Sequence, residues 1–166
     1  MNEIRAFPFR PAQGGARSSA RIRCTAITHG SPEYEATVAL RDEILRKPLG
    51  LRSSEEQLRA ESGDHHLACF RDGRLIACLV LTPVSNDAVK MRQVAVAADC
   101  QRRGVGRALA LYAERFAAGL GYSEMTAHAR ETAVPFYEKL GYTAIGDRFM
   151  EVGIPHISVR KALGPT

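Results

Sequence analysis

VAVAADCQRRGVGRAL, residues 94–109, passes from a strand-like stretch through a short polar and basic turn into a helical pattern. The first N–H groups of a helix have no intrahelical acceptor and lie at the positive end of the helix dipole, so such a junction suits a phosphate group. Two glycines would let the backbone approach a pyrophosphate closely, and three arginines add positive charge. The stretch therefore predicts a phosphate site between a strand and a helix.

Two other phosphate-binding motifs fit this turn poorly. A P-loop needs Gly-x-x-x-x-Gly-Lys-Ser/Thr, and the chain has no such segment. A dinucleotide fingerprint counted from Gly104 puts Leu109 where close packing of the helix on the strand needs a small residue. The P-loop is excluded, and dinucleotide binding is less favoured but stays open.

The composition suits one folded domain with an anionic partner. With 166 residues, of which 45% are hydrophobic, the chain can fill one substantial core. The formal net charge of +5 favours nucleic acid, acidic lipid or a phosphorylated cofactor without choosing among them. No apolar run approaches the ~20 residues of a membrane span, and the N-terminus lacks the apolar centre of a secretory signal. We expect a cytoplasmic protein with no membrane partner.

The cysteines and histidines give no sign of a metal site. The four cysteines are widely spaced and form no Cys-x-x-Cys pair, so neither a zinc knuckle nor a dense disulfide framework is indicated. His65 and His66 are adjacent in a predicted strand and point to opposite faces. We expect reduced, mostly buried thiols and no metal.

Apolar periodicity and turn residues predict seven strands and four helices in the order β-α-α-β-β-β-α-β-α-β-β. Residues 1–20 are expected to form a flexible tail, and residues 21–166 one domain. The fold class is α/β of the α+β type, with a mixed, mostly antiparallel, twisted sheet. The predicted caps and turns are the N-cap Ser31 before Pro32, a capping box from Ser53 to Glu56, the hairpin turn Asp72-Gly73 and the N-cap Thr132.

Gln101-Arg-Arg-Gly-Val-Gly106 resembles the cofactor motif Gln/Arg-x-x-Gly-x-Gly/Ala of the GNAT superfamily of acyl-CoA-dependent N-acyltransferases. Phe136-Tyr137 followed by Lys139-Leu-Gly-Tyr142 resembles a later helix of that family and its exit. The order of the predicted elements from about residue 21 to residue 161 is also similar. The resemblance implies a GNAT-like domain with acetyl-CoA as co-substrate.

The same resemblance implies roles for individual residues. In GNAT enzymes a central strand splays from its neighbour, and Val94 matches the position whose backbone N–H faces the thioester carbonyl. Tyr137 matches a tyrosine that protonates or hydrogen-bonds the coenzyme A sulfur, with a core aromatic residue as the alternative. Arg130 stands where the family often has asparagine. The implied cofactor residues are Val94, Val96, Gln101, Arg102, Arg103, Gly104, Val105, Gly106, Arg107, Arg130 and Tyr137.

Candidates for the general base and the substrate residues follow from their positions. His128 lies on the strand expected beside the splay and suits proton transfer near neutral pH if it faces the cleft; a histidine packed on the other face is the alternative. Glu151 and His156 border the last hairpin, where GNAT substrates often enter. Arg41 on the first helix is a further substrate candidate, with a solvated helix charge as the alternative.

These observations favour an N-acetyltransferase that moves an acetyl group from acetyl-CoA to a primary amine of a small molecule or protein by direct transfer in a ternary complex. A coenzyme A-binding sensor or scaffold without turnover is an alternative. A basic nucleic-acid-binding protein is a third, and the lack of an aromatic and basic recognition strip counts against it. Homodimers are common in the family, but no sequence feature indicates one here.

Overall fold

The computed structural model describes residues 7–8 and 21–164. The strands in these ranges are β1 (Phe7–Pro8), β2 (Ile22–Ile27), β3 (His65–Arg71), β4 (Arg74–Pro83), β5 (Ala88–Val96), β6 (Glu124–Arg130), β7 (Thr143–Glu151) and β8 (Ile154–Ala162). The α-helices in these ranges are α1 (Pro32–Arg41), α2 (Glu55–Ala60), α3 (Val105–Gly119) and α4 (Val134–Lys139).

The strands form one mixed sheet in the order β1-β2-β3-β4-β5-β6-β8-β7. β5 and β6 are parallel, with helix α3 between them in the chain, whereas the pairs β2–β3, β6–β8 and β7–β8 are antiparallel. The predicted α/β class and mixed sheet are confirmed. β1 falls within the predicted N-terminal tail and pairs with β2, while the other residues of that tail lie outside the described residues.

Two hairpins turn on a pair of residues with positive φ. Asp72 (φ 50°) and Gly73 (φ 76°) connect β3 to β4, as the Asp-Gly signal predicts, because a type I′ turn needs the left-handed conformation at both positions. Val152 (φ 48°) and Gly153 (φ 74°) connect β7 to β8 in the same way. The sequence pattern begins the last strand at Val152, and this prediction is wrong, since the strand begins at Ile154. The pattern is misleading because β-branched residues rarely adopt positive φ.

Helix α1 begins as predicted. The Ser31 hydroxyl accepts a hydrogen bond from the N–H of Tyr34 at 3.2 Å, and Pro32 occupies the start of the helix. Beyond α1 the chain stays helical through a π turn (Asp42–Arg46) and a 3₁₀ turn (Lys47–Leu49). The predicted end near Lys47 is therefore close to the observed one.

The predicted caps of α2 and α4 are wrong. Ser54 and Gln57 form the capping box of α2, whereas the Ser53 hydroxyl donates to the Asp42 carboxylate at 2.7 Å. Thr132 lies inside a 3₁₀ turn, Glu131–Ala133, that leads directly into α4, and α4 has no side-chain cap. Ser53 and Ser54 both fit the sequence pattern of a capping box. The contact of Ser53 with Asp42, eleven residues earlier in the chain, leaves Ser54 as the N-cap.

The described residues pack as two compact units. Unit one contains the described residues up to Val80 together with Gln93–Tyr112, and unit two contains Leu81–Arg92 together with the described residues from Ala113 onward. Fully buried apolar side chains of unit one include Leu67, Ile76, Leu79, Val105 and Leu109. Those of unit two include Leu81, Val89, Met91, Met125 and Val159. No helix within residues 7–8 and 21–164 is long and apolar enough to cross a membrane.

The expectation of reduced thiols is wrong for one pair of cysteines. Cys24 on β2 and Cys69 on β3 are directly opposite each other in the strand register, with Cα atoms 4.1 Å apart, and form a disulfide. The two residues are 45 positions apart in sequence, so the pairing becomes visible only once the strands are in register. Cys78 and Cys100 are free thiols and buried, as expected.

Candidate functional site

The predicted phosphate turn lies at the start of helix α3 in unit one. Gly104 has φ +79°, and its carbonyl accepts the first helical hydrogen bond, from the N–H of Ala108 at 3.0 Å. The next residues therefore supply the N–H groups that a helix leaves without intrahelical acceptors. Residues 101–104 and Arg107 are exposed. The turn presents backbone donors and arginine side chains to solvent, which is what binding an anionic phosphate requires.

Polar contacts fix the approach to this turn. The Gln101 side-chain amide donates to the carbonyl of Val96 at 3.0 Å, and the N–H of Ala97 donates to the carbonyl of Ile76 at 2.8 Å. Arg102 has φ +61°, which is unusual for a residue with a side chain. Gln101 therefore supports the backbone of the turn, while its prediction as a cofactor residue stays a prediction.

The backbone of β5 is left-handed at Gln93, directly before Val94. Gln93 adopts φ +54° inside the strand, a conformation that interrupts regular pleating. Its side chain is held from two sides: the amide nitrogen donates to Glu61 Oε1 at 3.3 Å, and the amide oxygen accepts from Arg46 Nη2 at 3.3 Å. These two contacts hold the residue directly before Val94, the predicted oxyanion donor.

Arg41 belongs to a buried polar network rather than to a solvated helix surface. Its guanidinium donates two hydrogen bonds to the Glu61 carboxylate, at 2.9 and 3.0 Å, and Tyr34 donates its hydroxyl to the same carboxylate at 3.0 Å. The solvated alternative for Arg41 is wrong, because a helix face that looks charged in sequence packs against Glu61. A substrate role for Arg41 stays a prediction.

The network shifts the ionisation of its members. Burial opposes the charge of Glu61, but the hydrogen bonds and charge of Arg41 outweigh it and hold the Glu61 pKa below its usual range. Burial, followed by the negative charge of Glu61, raises the pKa of Tyr34 to about 12. At neutral pH the network therefore holds an ionised carboxylate and an uncharged phenol.

In unit two, the structure brings together three residues predicted from sequence. His128 Nδ1 lies 3.0 Å from Glu151 Oε1, and His156 Nε2 lies 3.5 Å from Glu151 Oε2. His156 is buried, and its Nδ1 hydrogen-bonds to the carbonyl of Ile154 at 2.7 Å. Glu151 thus connects an exposed histidine to a buried one, and we call these three residues the histidine cluster.

Two unpredicted residues complete the surroundings of the histidine cluster. The Phe149 ring contacts the rings of both histidines, edge-on to His128 at 4.8 Å and stacked on His156 at 6.0 Å. Lys90 Nζ lies 3.0 Å from the same His128 Nδ1 that faces Glu151. Burial lowers the pKa of Lys90, and although burial works against it, hydrogen bonding from His128 lowers the pKa of Glu151. Since Nδ1 carries at most one proton, its contacts with Lys90 and Glu151 need different protonation states.

The strands of unit two position His128 at the end of a ladder. β5 and β6 pair from Ala88 opposite Glu124 to Met91 opposite Ala127, and His128 is the next residue of β6. Within unit two this parallel ladder ends there, although β6 continues to Arg130. The side chain of His128 keeps 34% of its surface exposed. A histidine that is oriented by a carboxylate and open to solvent is equipped to accept a proton.

Tyr137 and Arg130 are the other predicted residues of unit two. Tyr137 lies on α4, is buried, and packs edge-on against Phe136 and Tyr142. Burial raises the Tyr137 pKa to about 12, so the phenol keeps its proton at neutral pH. Arg130 ends β6 opposite His156 of β8. Both sequence interpretations of Tyr137, proton donor and core aromatic residue, are compatible with this position.

Comparison with known proteins identifies the family. The model of the acetyltransferase (GNAT) domain matches residues 33–163. The chain belongs to the GNAT family and is an acyltransferase that carries out acetyl transfer. An uncharacterized N-acetyltransferase of Bacillus subtilis, YjcF, is similar at 28% identity over 81% of this chain and 96% of its own.

Two solved structures have the same fold as this GNAT protein. An acyl-CoA N-acyltransferase from Pseudomonas aeruginosa is 26% identical, with a TM-score of 0.71 over 85% of this chain and 99% of the other. A GNAT family acetyltransferase from Elizabethkingia anophelis, solved with acetyl-CoA bound, is 19% identical, with a TM-score of 0.67 over 86% and 98% of the two chains.

Four residues of this GNAT protein that shape the two candidate regions were missed from sequence. Glu61 and Lys90 gave no signal beyond a charge, because their partners are far away in the chain. Gln93 gave no signal because its positive φ depends on contacts with distant residues. Phe149 gave none because an aromatic residue is typical of the core side of a strand. Within residues 7–8 and 21–164, no group of three or more histidine, cysteine or acidic side chains is arranged to hold a metal ion.

Proposed function

We propose that the protein transfers the acetyl group of acetyl-CoA directly to a primary amine within a ternary complex. The proposal rests on the exposed turn at the start of α3, where Gly104 has φ +79°. The backbone N–H groups at this helix start suit an anionic group. Acetyl-CoA offers a pyrophosphate that matches this turn and a thioester that matches the activity of the family. The N–H groups after Gly104 and the side chains of Arg102, Arg103 and Arg107 would bind the pyrophosphate.

The proposed chemistry needs three functions. The N–H of Val94, which directly follows the left-handed residue Gln93, donates to the thioester oxygen as negative charge develops there. The amine nitrogen forms a bond to the carbonyl carbon while the carbon–sulfur bond breaks. Tyr137, which keeps its proton at neutral pH, gives a proton to the leaving thiolate or hydrogen-bonds to it.

His128 is the proposed general base. When Nδ1–H donates to Glu151, the other ring nitrogen, Nε2, carries a free lone pair that can take the proton of the attacking amine. Glu151 orients the ring and stabilises the imidazolium that forms. His156, whose Nδ1 donates to the carbonyl of Ile154, lies with its Nε2 3.5 Å from the other oxygen of the carboxylate.

A thermal shift experiment tests the cofactor. A ligand that binds the folded state alone stabilises it by ~2.7 kcal/mol at a hundredfold excess over Kd, and we expect such a rise with acetyl-CoA but not with NAD or ATP. Gly104→Glu should abolish the rise. Gly30→Glu is a matched control, because Gly30 has φ +78° and open space around it, as Gly104 does. A rise with NAD alone would instead support dinucleotide binding.

A thiol-release assay tests turnover. Free coenzyme A should appear only when an amine acceptor is added, and acetylated amine should accumulate in equal amount. Acetyl-CoA binding without release across a broad amine panel would favour a coenzyme A-binding sensor or scaffold. Equal loss of release in Gly104→Glu and Gly30→Glu would mean that the turn has no special role.

A further inference from the structure

Basic side chains surround the histidine cluster on one face of unit two. Side chains alternate between the two faces of a strand, so Lys90 and Arg92 of β5 share a face, as do His128 and Arg130 of β6. The 3.0 Å contact between Lys90 and His128 shows that the two pairs share the same face. We call Lys90, Arg92 and Arg130 the basic strip.

The charges of this face are not balanced. Among the described residues, Glu151 is the carboxylate that contacts the cluster, and both of its oxygens face histidines. Arg92 is half-buried, and its guanidinium donates to the neutral hydroxyl of Thr82 at 3.3 Å. Glu124 shares the face but lies at the far end of β6, opposite Ala88. The three cations of the strip therefore share this face with one carboxylate at the cluster, Glu151, and a second at the far end of β6, Glu124.

Uncompensated cations of this kind are costly inside a protein. A half-buried guanidinium loses hydration, and the loss is offset when a carboxylate or phosphate accepts two parallel hydrogen bonds from its planar fork. Arg92 lies two residues from Lys90 on the same face of β5, and burial together with the charge of Arg92 lowers the pKa of Lys90 against the opposing charge of Glu151. An anion at this position would relieve both effects.

We propose that the amine acceptor carries an anionic group, carboxylate or phosphate, and that Lys90 and Arg92 bind this group so that the amine lies beside His128. The proposal deepens the acetyltransferase function above and rests on it. Phe149, which contacts both histidines, offers an apolar wall for the short carbon chain between the two ends of such an acceptor. The acceptor class is therefore an amino acid or an aminoalkyl phosphate rather than a simple amine or a polyamine.

Matched pairs of acceptors test this class. The thiol-release assay compares 4-aminobutanoate with 4-aminobutanamide, and 2-aminoethyl phosphate with 2-aminoethanol. One charge-assisted contact corresponds to about tenfold in affinity, so we expect kcat/KM to be roughly tenfold higher or more for at least one acid than for its neutral partner. The two pairs separate carboxylate from phosphate as the preferred anion.

Variants assign the preference to residues. Arg92→Gln should raise KM for the preferred acid and bring kcat/KM close to that of the neutral partner, while kcat is less affected. Arg92→Lys should restore part of the preference. Arg115→Gln removes an exposed arginine of α3 in the same unit and should leave the preference unchanged.

Three results would overturn the proposal: equal kcat/KM within both pairs, a preference that survives Arg92→Gln, or no turnover of any acid in the panel. None of these bears on the acetyltransferase function, which fails separately if acetyl-CoA gives no thermal shift. A preference that is lost in Arg92→Gln, retained in Arg115→Gln and partly restored in Arg92→Lys would establish the anionic acceptor.

Discussion

Arg41 of α1 and Glu61 after α2 form an ion pair inside unit one, with side chains only 1% and 6% exposed. Two parallel hydrogen bonds join them, and Tyr34 and Gln93 bind the same carboxylate. A buried pair of this kind is weak evidence for net stabilisation, but removal of one partner leaves a buried charge uncompensated. Glu61 of the pair also accepts from Gln93, the left-handed residue directly before Val94.

Glu61→Ala should therefore destabilise the fold and remove one of the contacts that hold Gln93. We expect a loss of about 3–5 kcal/mol in the free energy of unfolding, measured by urea denaturation. Replacing both partners, in Arg41→Met with Glu61→Leu, should recover much of this loss. Arg74→Ala breaks an exposed pair with Asp99 that has similar geometry, and should change stability little. Equal changes in the free energy of unfolding for Glu61→Ala and Arg74→Ala would contradict the view that burial makes the Arg41–Glu61 pair costly to break.

Stability should fall as pH falls, in two steps. The folded-state pKa of His66 is lowered by burial, so the unfolded chain binds its proton first, and stability is lost as pH drops below the ordinary value of 6.5. The folded-state pKa of Glu61 is also lowered, so its contribution is present above 4.5 and is lost as pH falls further. Urea midpoints from pH 8 down to about pH 2 cover both steps, and a difference of one pKa unit between the folded and unfolded states corresponds to about 1.4 kcal/mol. In His66→Asn the first step should shrink.

Reduction of the Cys24–Cys69 disulfide should lower stability by about 2–4 kcal/mol, as is typical of a crosslink that closes a long loop. Thiol titration of the unfolded protein should find two thiols before reduction and four after it, because two of the four cysteines are free. Cys24→Ala with Cys69→Ala should make the melting temperature insensitive to reductant. Four thiols without reduction would show that the bond does not form.

His128→Gln should lower kcat by about 10²–10⁴-fold, the usual contribution of a positioned general base. The acetyl-CoA thermal shift should be retained, because His128 is not among the residues proposed for the pyrophosphate. Glu151→Gln should lower kcat as well, and by a smaller factor, since it orients the base rather than accepting the proton. His65→Gln, a change at a half-buried histidine of β3, serves as the control. An unchanged kcat in His128→Gln would show that His128 is not the general base.

Features that depend on a few consecutive residues could be predicted from the sequence. The Ser31-Pro32 helix start, the Asp72-Gly73 turn and the glycine turn before α3 each depend on a few consecutive residues, and all three appear in the structure. The three consecutive strands β3, β4 and β5 are joined by short loops, so the sequence also predicts them as neighbours in the sheet, as they are.

Features that depend on contacts between residues far apart in the chain could not be predicted from the sequence. The one-residue error at Ser53 came from a contact with Asp42, and the missed disulfide came from strand register. The histidine cluster shows an intermediate case: each member was a candidate by itself, but only the pairing of β6, β7 and β8 reveals that Glu151 joins the two histidines.

The single nitrogen of His128 that faces both Lys90 and Glu151 makes the ring a natural spectroscopic reporter. An anion that draws the Lys90 ammonium away leaves Nδ1–H with Glu151 as its partner, which fixes one tautomer. In a sample with ¹⁵N-labelled histidine, the two ring nitrogens have distinct chemical shifts in each tautomer. Titration with an unreactive carboxylate would then report occupancy of the acceptor region in the resting protein, without any acetyl group being transferred.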